Sequence, residues 1–153
     1  MKRLLIVAHA PSPNTLAMRE AVTRGASHPE IEGVEVSVSA PLETGPEAVK
    51  AADGLILGTT ENLGYMSGAL KDFFDRIYYP CLEETQGRPY ALYIRAGNDG
   101  QGTKMAVERI VTGLRWRAVQ EPLICRGDWQ EGFLEQCEEL GMALAAGLEA
   151  GVF

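Results

Sequence analysis

One short segment, His9-Ala-Pro-Ser-Pro-Asn-Thr15, brings together side chains that could hold an anion. Ser12, Asn14 and Thr15 supply hydroxyl and amide groups, and a predicted helix begins near Thr15. The free N–H groups and partial positive charge of a helix start can bind a phosphate, although no lysine or arginine lies between His9 and Met18. The same residues also suit an ordinary strand-to-helix turn, in which Asn14 or Thr15 caps the helix.

A second segment, Ala96-Gly-Asn-Asp-Gly-Gln-Gly-Thr103, is rich in glycine. Glycines let backbone N–H groups approach a ligand's carbonyl oxygens, and Asn98 or Asp99 could donate or accept at the ligand's edge. Its G-x-x-G-x-G spacing is weak evidence for a dinucleotide, because the Rossmann fingerprint belongs after the first strand. Taken alone, the segment is interpreted as a flexible strand-to-helix turn.

Five short apolar runs predict the strands that must position these loops. The runs are Leu4–Ala8, Val34–Val38, Gly54–Gly58, Tyr90–Ala96 and Ala118–Cys125. Apolar residues recur at helical spacing between them, as in Met66, Leu70, Phe73 and Ile77, and a last stripe runs from Phe133 to Leu148. Strands that alternate with helices imply right-handed crossovers and a parallel sheet with helices on both faces. The sequence therefore predicts a doubly wound α/β fold.

The two edges of the sheet can also be predicted. Pro122 cannot donate to a ladder, so the last run belongs at one edge, and the alternating Glu35-Val-Ser-Val-Ser39 suits the other. A strand order of 2-1-3-4-5 places both correctly. Ligands bind such sheets at the carboxyl ends of the strands where the winding reverses, so the loops after Ala8, Gly58 and Ala96 are the candidates.

Composition narrows the class of protein. With 153 residues and 46% hydrophobic content, residues 1–153 are expected to form a single domain with a continuous core. A net charge of −7 disfavours nucleic acid as a partner. Three cysteines without C-x-x-C spacing predict no metal site and favour a reducing, cytoplasmic setting. The apolar run Leu4–Ala8 is too short to span a membrane.

The segment Gly58-Thr-Thr-Glu-Asn-Leu-Gly-Tyr-Met-Ser-Gly-Ala-Leu-Lys-Asp-Phe-Phe-Asp-Arg76 carries a more specific pattern. Together with the Ser-Pro-Asn-Thr loop, it resembles the flavodoxin-like NAD(P)H-dependent FMN reductase and quinone reductase family. That family follows its third strand with G-[TS]-P-x-x-x-[GN]-x-[MS]-[ST]-G-x-[LM]-K-x-[FW]-[FIL]-D-R. The matching residues are Gly58, Thr59, Gly64, Met66, Ser67, Gly68, Leu70, Lys71, Phe73, Asp75 and Arg76.

The resemblance implies a flavodoxin-like three-layer sandwich that binds FMN. Its phosphate contacts would be Ser12, Asn14, Thr15 and Leu16. Its isoalloxazine contacts would be Thr59, Thr60, Glu61, Asn62, Leu63, Gly64, Tyr65 and Met66 on one side, and Gly97, Asn98, Asp99 and Gly100 at the pyrimidine end. Leu63, Tyr65 and Met66 could cover an apolar ring face. Ser67 is also expected to cap the following helix, and Asp75 and Arg76 are expected to form local ion pairs or caps.

The sequence departs from the family pattern at two places. Pro13 stands where a glycine is common, which removes one backbone N–H donor from the phosphate loop. Thr60-Glu61 stands where the family has proline followed by an uncharged residue. A carboxylate beside a flavin would disfavour its reduced anion and lower its potential. Pro13 and Glu61 also motivate the alternative of a flavin-free domain with a binding role.

The resemblance implies an oxidoreductase that passes electrons from NAD(P)H to a quinone, a flavin or a similar acceptor. No acid–base pair is required, because the cofactor supplies the chemistry. His9 lacks a carboxylate partner in sequence and is interpreted as a loop residue. A flavodoxin-type carrier that does not oxidise NAD(P)H is the other alternative, and its acidity suits a basic redox protein. A homodimer is expected from the architecture of similar proteins.

Overall fold

A computed structural model describes all residues from 1 to 153. Six strands and five helices alternate along the chain, except that the fifth and sixth strands follow each other. They are β1 (Lys2–Ala8), α1 (Pro13–Ala26), β2 (Val34–Ser39), α2 (Pro46–Ala51), β3 (Gly54–Thr60), α3 (Gly68–Cys81), β4 (Pro89–Ala96), α4 (Gln101–Gly113), β5 (Arg117–Ala118), β6 (Leu123–Arg126) and α5 (Gly132–Ala150). The short helix α2 and a 3-10 turn before it, Pro41–Glu43, are additions to the elements predicted from sequence.

The sheet is parallel throughout, with the order β2-β1-β3-β4-β5, and β6 also pairs with β4. The predicted strand order is confirmed. In register, Ala8 of β1 lies beside Gly58 of β3, and Gly58 lies beside Tyr93 of β4. The carboxyl ends of these three strands therefore meet at one edge of the sheet.

The outermost strand differs from the prediction. The single run Ala118–Cys125 is divided into β5 and β6, because five steps from Ala118 to Leu123 face only three along β4, from Tyr90 to Tyr93. The two additional residues loop out of the ladder. Pro122, which has no N–H group to donate, lies in this interruption. The edge position predicted for this strand is confirmed.

Two hydrophobic layers sandwich the sheet, because successive residues of a buried strand face opposite sides. Leu5 and Val7 of β1 pack toward α2, α3 and α4, whereas Leu4 and Ile6 pack toward α1 and α5. The predicted helical stripes are buried on these two sides: Leu70, Phe73 and Ile77 in one layer, and Phe133, Cys137, Leu140, Leu144 and Leu148 in the other. The predicted three-layer sandwich is confirmed.

The opposite edge strand, β2, alternates between half-buried and exposed residues over most of its length, as its sequence predicts. None of the helices combines the length and the apolar character needed to cross a bilayer.

Candidate functional site

The loop after β1 is closed by its own side chains. Helix α1 begins at Pro13, earlier than predicted, and its N-cap is Ser12 rather than Asn14 or Thr15. The Ser12 hydroxyl accepts from the Thr15 N–H at 3.2 Å, while the Thr15 hydroxyl accepts from the Ser12 N–H at 2.9 Å. The two hydroxyl oxygens lie 2.8 Å apart. This reciprocal capping box forms because both residues offer a short hydroxyl side chain at N-cap and N3.

Few donors remain at this helix start. Pro13 has no N–H, and the N–H groups of Thr15 and Leu16 donate to Ser12. The backbone N–H of Asn14 has no acceptor within the chain, and its side chain is exposed and unpaired. The predicted phosphate contacts therefore lie together in one turn, but only Asn14 offers free hydrogen bonds without rearrangement of the cap.

His9 is the first residue beyond β1, and its N–H donates to the Gly58 carbonyl at 3.0 Å. Partial burial of the imidazole lowers its pKa below the usual value, because burial disfavours the charged form. The neutral form of His9 is therefore favoured, so the residue adds little positive charge beside the phosphate loop.

The loop after β3 is a tight reverse turn. Asn62 and Tyr65 exchange two backbone hydrogen bonds of 2.8 and 2.9 Å, and the two residues between them both have positive φ, 54° for Leu63 and 76° for Gly64. Glycine adopts this conformation freely, whereas leucine adopts it under strain. The Leu63 side chain is fully exposed at the tip, and Tyr65 is 42% exposed.

The residues that flank this turn face the interior. Thr59 is buried, and its hydroxyl accepts from the Ser67 N–H at 3.0 Å. Ser67 caps α3 by accepting from the Leu70 N–H at 3.1 Å, which confirms the prediction for Ser67. Met66 lies in the core with 2% of its surface exposed, so its thioether is not available as an open ring face. Among the three predicted apolar contacts, only Leu63 and Tyr65 face outward.

Glu61 links the loop after β3 to the loop after β4. Its half-buried carboxylate accepts one N–H from Asn98 at 2.8 Å and one from Gly100 at 2.9 Å, each through a different oxygen. Gly100 is the left-handed N-cap of α4, with φ of 70°, and an added Cβ would lie 2.7 Å from Ile124. The carboxylate thus sits at a helix start, where backbone N–H groups and the helix dipole favour an anion.

Two further contacts join the same loops, and neither follows from the sequence patterns. The Thr103 hydroxyl donates to the Tyr65 carbonyl at 2.9 Å. The turn also packs closely on α4, since a Cβ added at Gly102 would overlap the Gly64 carbonyl oxygen. A glycine followed by a hydroxyl residue in the first turn of α4 was visible in the sequence, but nothing local pairs it with residues almost forty positions away.

The 97–100 loop keeps two donors free. The N–H groups of Gly97 and Asp99 have no acceptor within the chain, and both residues are exposed. The Asp99 carboxylate is occupied locally, since it accepts from the Gln101 N–H at 3.0 Å. The loop therefore offers backbone N–H groups rather than a side-chain anion to a ligand.

The cysteines, the tryptophans and the charged residues of α3 lie in structural surroundings, either buried or paired within the chain. All three cysteines, Cys81, Cys125 and Cys137, are buried. Trp116 is buried and donates to the Thr85 hydroxyl at 2.9 Å, and Trp129 stacks edge-on with Phe133. The helical residues predicted as local ion pairs form two of them, Lys71 with Asp75 and Arg76 with Asp72.

Comparison with known proteins identifies the family of the chain. A family model described as NADPH-dependent FMN reductase matches residues 14–129. A flavodoxin from Aquifex aeolicus is 32% identical over 114 residues, which are 74% of this chain and 60% of that protein. The present chain thus aligns with less than two thirds of that relative's length.

Solved structures share the fold at lower identity. A flavodoxin from the domain Archaea matches with a TM-score of 0.81 and 20% identity, covering 96% of this chain and 99% of the other. The flavodoxin, WrbA-like protein from Agrobacterium tumefaciens matches with a TM-score of 0.76 and 20% identity, covering 99% of both chains. The fold is therefore flavodoxin-like.

Proposed function

Because the chain belongs to the NADPH-dependent FMN reductase family, we propose that it binds FMN and passes electrons from NAD(P)H to a quinone, a flavin or a similar acceptor. One observation carries the proposal: the three loops predicted to hold FMN follow β1, β3 and β4, whose carboxyl ends meet where the winding of the sheet reverses.

The start of α1 is the phosphate end of the proposed site. The free N–H of Asn14 and the partial positive charge of a 14-residue helix favour an anion there. The hydroxyls of Ser12 and Thr15 lie in the same turn, and each can rotate its hydrogen toward an incoming oxygen. Pro13 makes these side chains more important, since it offers no N–H of its own.

The ring end of the proposed site lies between the 62–65 turn and the 97–100 loop. Leu63 and Tyr65 offer apolar surface that is already exposed to solvent. The free N–H groups of Gly97 and Asp99 are suited to the carbonyl oxygens of a flavin's pyrimidine ring. A bound flavin supplies hydride and electron transfer, so these residues need only orient the ring and exclude water.

A cleft beside the ring end supports the use of NAD(P)H. The cleft, of about 350 Å³, separates α3 from α4 and is bordered by Tyr65 and Gly102. Arg109, which forms no ion pair, brings positive charge to it, Lys71 borders it while paired with Asp75, and Met105 adds an exposed apolar side chain. Positive charge beside apolar surface suits the phosphates and bases of a pyridine nucleotide.

The decisive experiment is to incubate the purified protein with FMN, desalt it, and record its flavin absorbance and fluorescence. We expect flavin to remain with the protein, and riboflavin to bind more weakly because it lacks the phosphate. Oxidation of NADH and NADPH is then followed with a quinone as acceptor. A protein that retains no flavin and leaves FMN fluorescence unquenched would refute the proposal and favour a flavin-free binding role.

The acidic surface favours a second candidate function. A net charge of −7 suits docking on a basic redox protein. A flavin-loaded protein that oxidises neither NADH nor NADPH, yet is reduced by a basic electron donor, would be a carrier of the flavodoxin type.

A further inference from the structure

Glu61 is the one residue of the ring end whose charged group is fully engaged by backbone. Its two carboxylate oxygens accept separate N–H groups, from Asn98 at 2.8 Å and from Gly100 at 2.9 Å. Hydrogen bonds to an ionised carboxylate are stronger than those between neutral groups, and a pair of them fixes orientation as well as distance. The start of α4 strengthens the pair further through its partial positive charge.

No other hydrogen bond ties residues 97–99 to a distant part of the chain. Gly97 makes none, Asn98 makes only the bond to Glu61, and the Asp99 side chain accepts only from its neighbour Gln101. All three residues are exposed, so packing does little to hold them. Their conformation therefore depends on the Glu61 carboxylate and on the glycines at either end.

The position of Glu61 connects its two hydrogen bonds with the proposed flavin site. Glu61 immediately precedes the turn that carries Leu63 and Tyr65, while the loop that it holds carries the free N–H groups of Gly97 and Asp99. Engagement of Asn98 and Gly100 leaves these alternate N–H groups as the loop's available donors. One carboxylate thus sets the spacing between the apolar surface and the donors.

We infer that Glu61 is a positioning residue for FMN, which holds the 97–100 loop in its ligand-binding conformation before the flavin arrives. The inference rests on the proposed function. A prearranged loop loses less conformational entropy when the flavin binds. Loss of this arrangement therefore weakens flavin affinity without removing any direct contact.

The test uses Glu61→Gln, which keeps the size of the side chain. It leaves one acceptor oxygen and turns an NH₂ group toward the second backbone N–H, so the paired interaction is lost. Asp128→Asn is the matched control. Asp128 is exposed, follows the carboxyl end of β6, and makes no hydrogen bond or ion pair. Circular dichroism is used to check that both variants fold.

Two measurements are made on the 153-residue chain. Amide hydrogen exchange of Asn98 and Gly100 is followed by NMR without flavin, and dissociation constants are measured for FMN and riboflavin. In Glu61→Gln we expect exchange at both amides to accelerate by about tenfold or more, and both flavins to bind about tenfold more weakly. Equal losses for the two flavins place the effect at the ring rather than at the phosphate. Asp128→Asn should match the wild type in each measurement.

The two measurements separate this inference from the proposed function. Unchanged exchange in Glu61→Gln overturns the inference, and so does faster exchange with unchanged or tighter flavin binding. An equal loss in Asp128→Asn would overturn it as well, by showing a general effect of charge. Failure of the wild type to bind either flavin would instead refute the proposed function, while the exchange rates still decide whether Glu61 holds the loop.

Discussion

The two ends of the candidate site hold their polar groups in different ways. At the phosphate end, Ser12 and Thr15, three residues apart, satisfy each other within a single turn. At the ring end, Glu61, Tyr65 and their partners bond across 37 to 39 residues of sequence. The first arrangement is local and uses most of its donors itself. The second is assembled by the sheet and leaves donors free, so we expect substitutions there to disturb binding more.

The largest effect is expected for Gly102→Ala, which disrupts the close packing of α4 against the 62–65 turn at the ring end. Its Cβ would overlap the Gly64 carbonyl oxygen and push the 62–65 turn away from α4. Overpacking of this kind costs about 1–3 kcal/mol, against about 1 kcal/mol that alanine gains over glycine in a helix. We expect a lower thermal midpoint and at least about tenfold weaker FMN binding.

Gly68→Ala is the control for this substitution. Gly68 is the first residue of α3, and nothing lies within 4 Å of the position its Cβ would take. The Gly68→Ala variant should be at least as stable as the wild type. Equal stability and equal FMN affinity in the two variants would show that the turn does not depend on close packing against α4.

Ser12→Ala removes one hydroxyl of the capping box at the phosphate end. Loss of the N-cap hydroxyl should lower the free energy of unfolding by about 1 kcal/mol, measured by urea denaturation. FMN should bind more weakly and riboflavin equally well, because only FMN carries the phosphate. Ser27→Ala is the control, since Ser27 is exposed and its side chain makes no hydrogen bond. A matching loss of riboflavin affinity would mean that the two ends are not independent.

A smaller effect is expected at the tip of the turn. Leu63→Asn replaces the exposed leucine with a residue that tolerates positive φ, so stability should change by less than about 1 kcal/mol. FMN affinity should fall severalfold, because apolar contact with the ring is lost. Leu63→Met keeps that apolar contact and should bind FMN like the wild type. If both variants bind equally well, Leu63 does not touch the flavin.

The smallest effect concerns pH and His9. Burial lowers its pKa, so its NMR titration midpoint should lie below the ordinary value of about 6.5. The folded state then binds fewer protons than the unfolded chain, and stability should fall as pH drops from about 6.5 through the folded pKa. This part of the pH dependence should disappear in His9→Gln. A midpoint at or above the ordinary value would contradict the burial of the imidazole.

Much of the fold could be predicted because burial leaves a pattern in the sequence. The continuous apolar runs of β1 and β3 and the stripe from Phe133 to Leu148 reflect strands and a helix that face the core. The division of the outer strand could not be predicted, although Pro122 marked its place. The register between Ala118 and Tyr90 depends on β4, which lies elsewhere in the sequence.

The candidate site shows the same division. The loops and the cap at Ser67 follow from residue types over a few positions, since turns and caps are local structures. The N-cap of α1 was predicted at Asn14 or Thr15, and this prediction was wrong. Ser12, Asn14 and Thr15 all suit the role, and the structure has Ser12 there. Met66 was predicted both on the apolar stripe that continues into α3 and beside a flavin ring, and the turn before it directs its side chain into the core with that stripe.

The alternation of strands and helices, the polar character of the three loops and the unusual position of Glu61 follow from the residue types along the chain. The role of Glu61 depends on the folded chain. Its partners are backbone N–H groups, which every residue except proline carries, so no side-chain pattern could identify them. They became its partners because β3 and β4 are neighbours in the sheet, which sets the ends of both strands side by side.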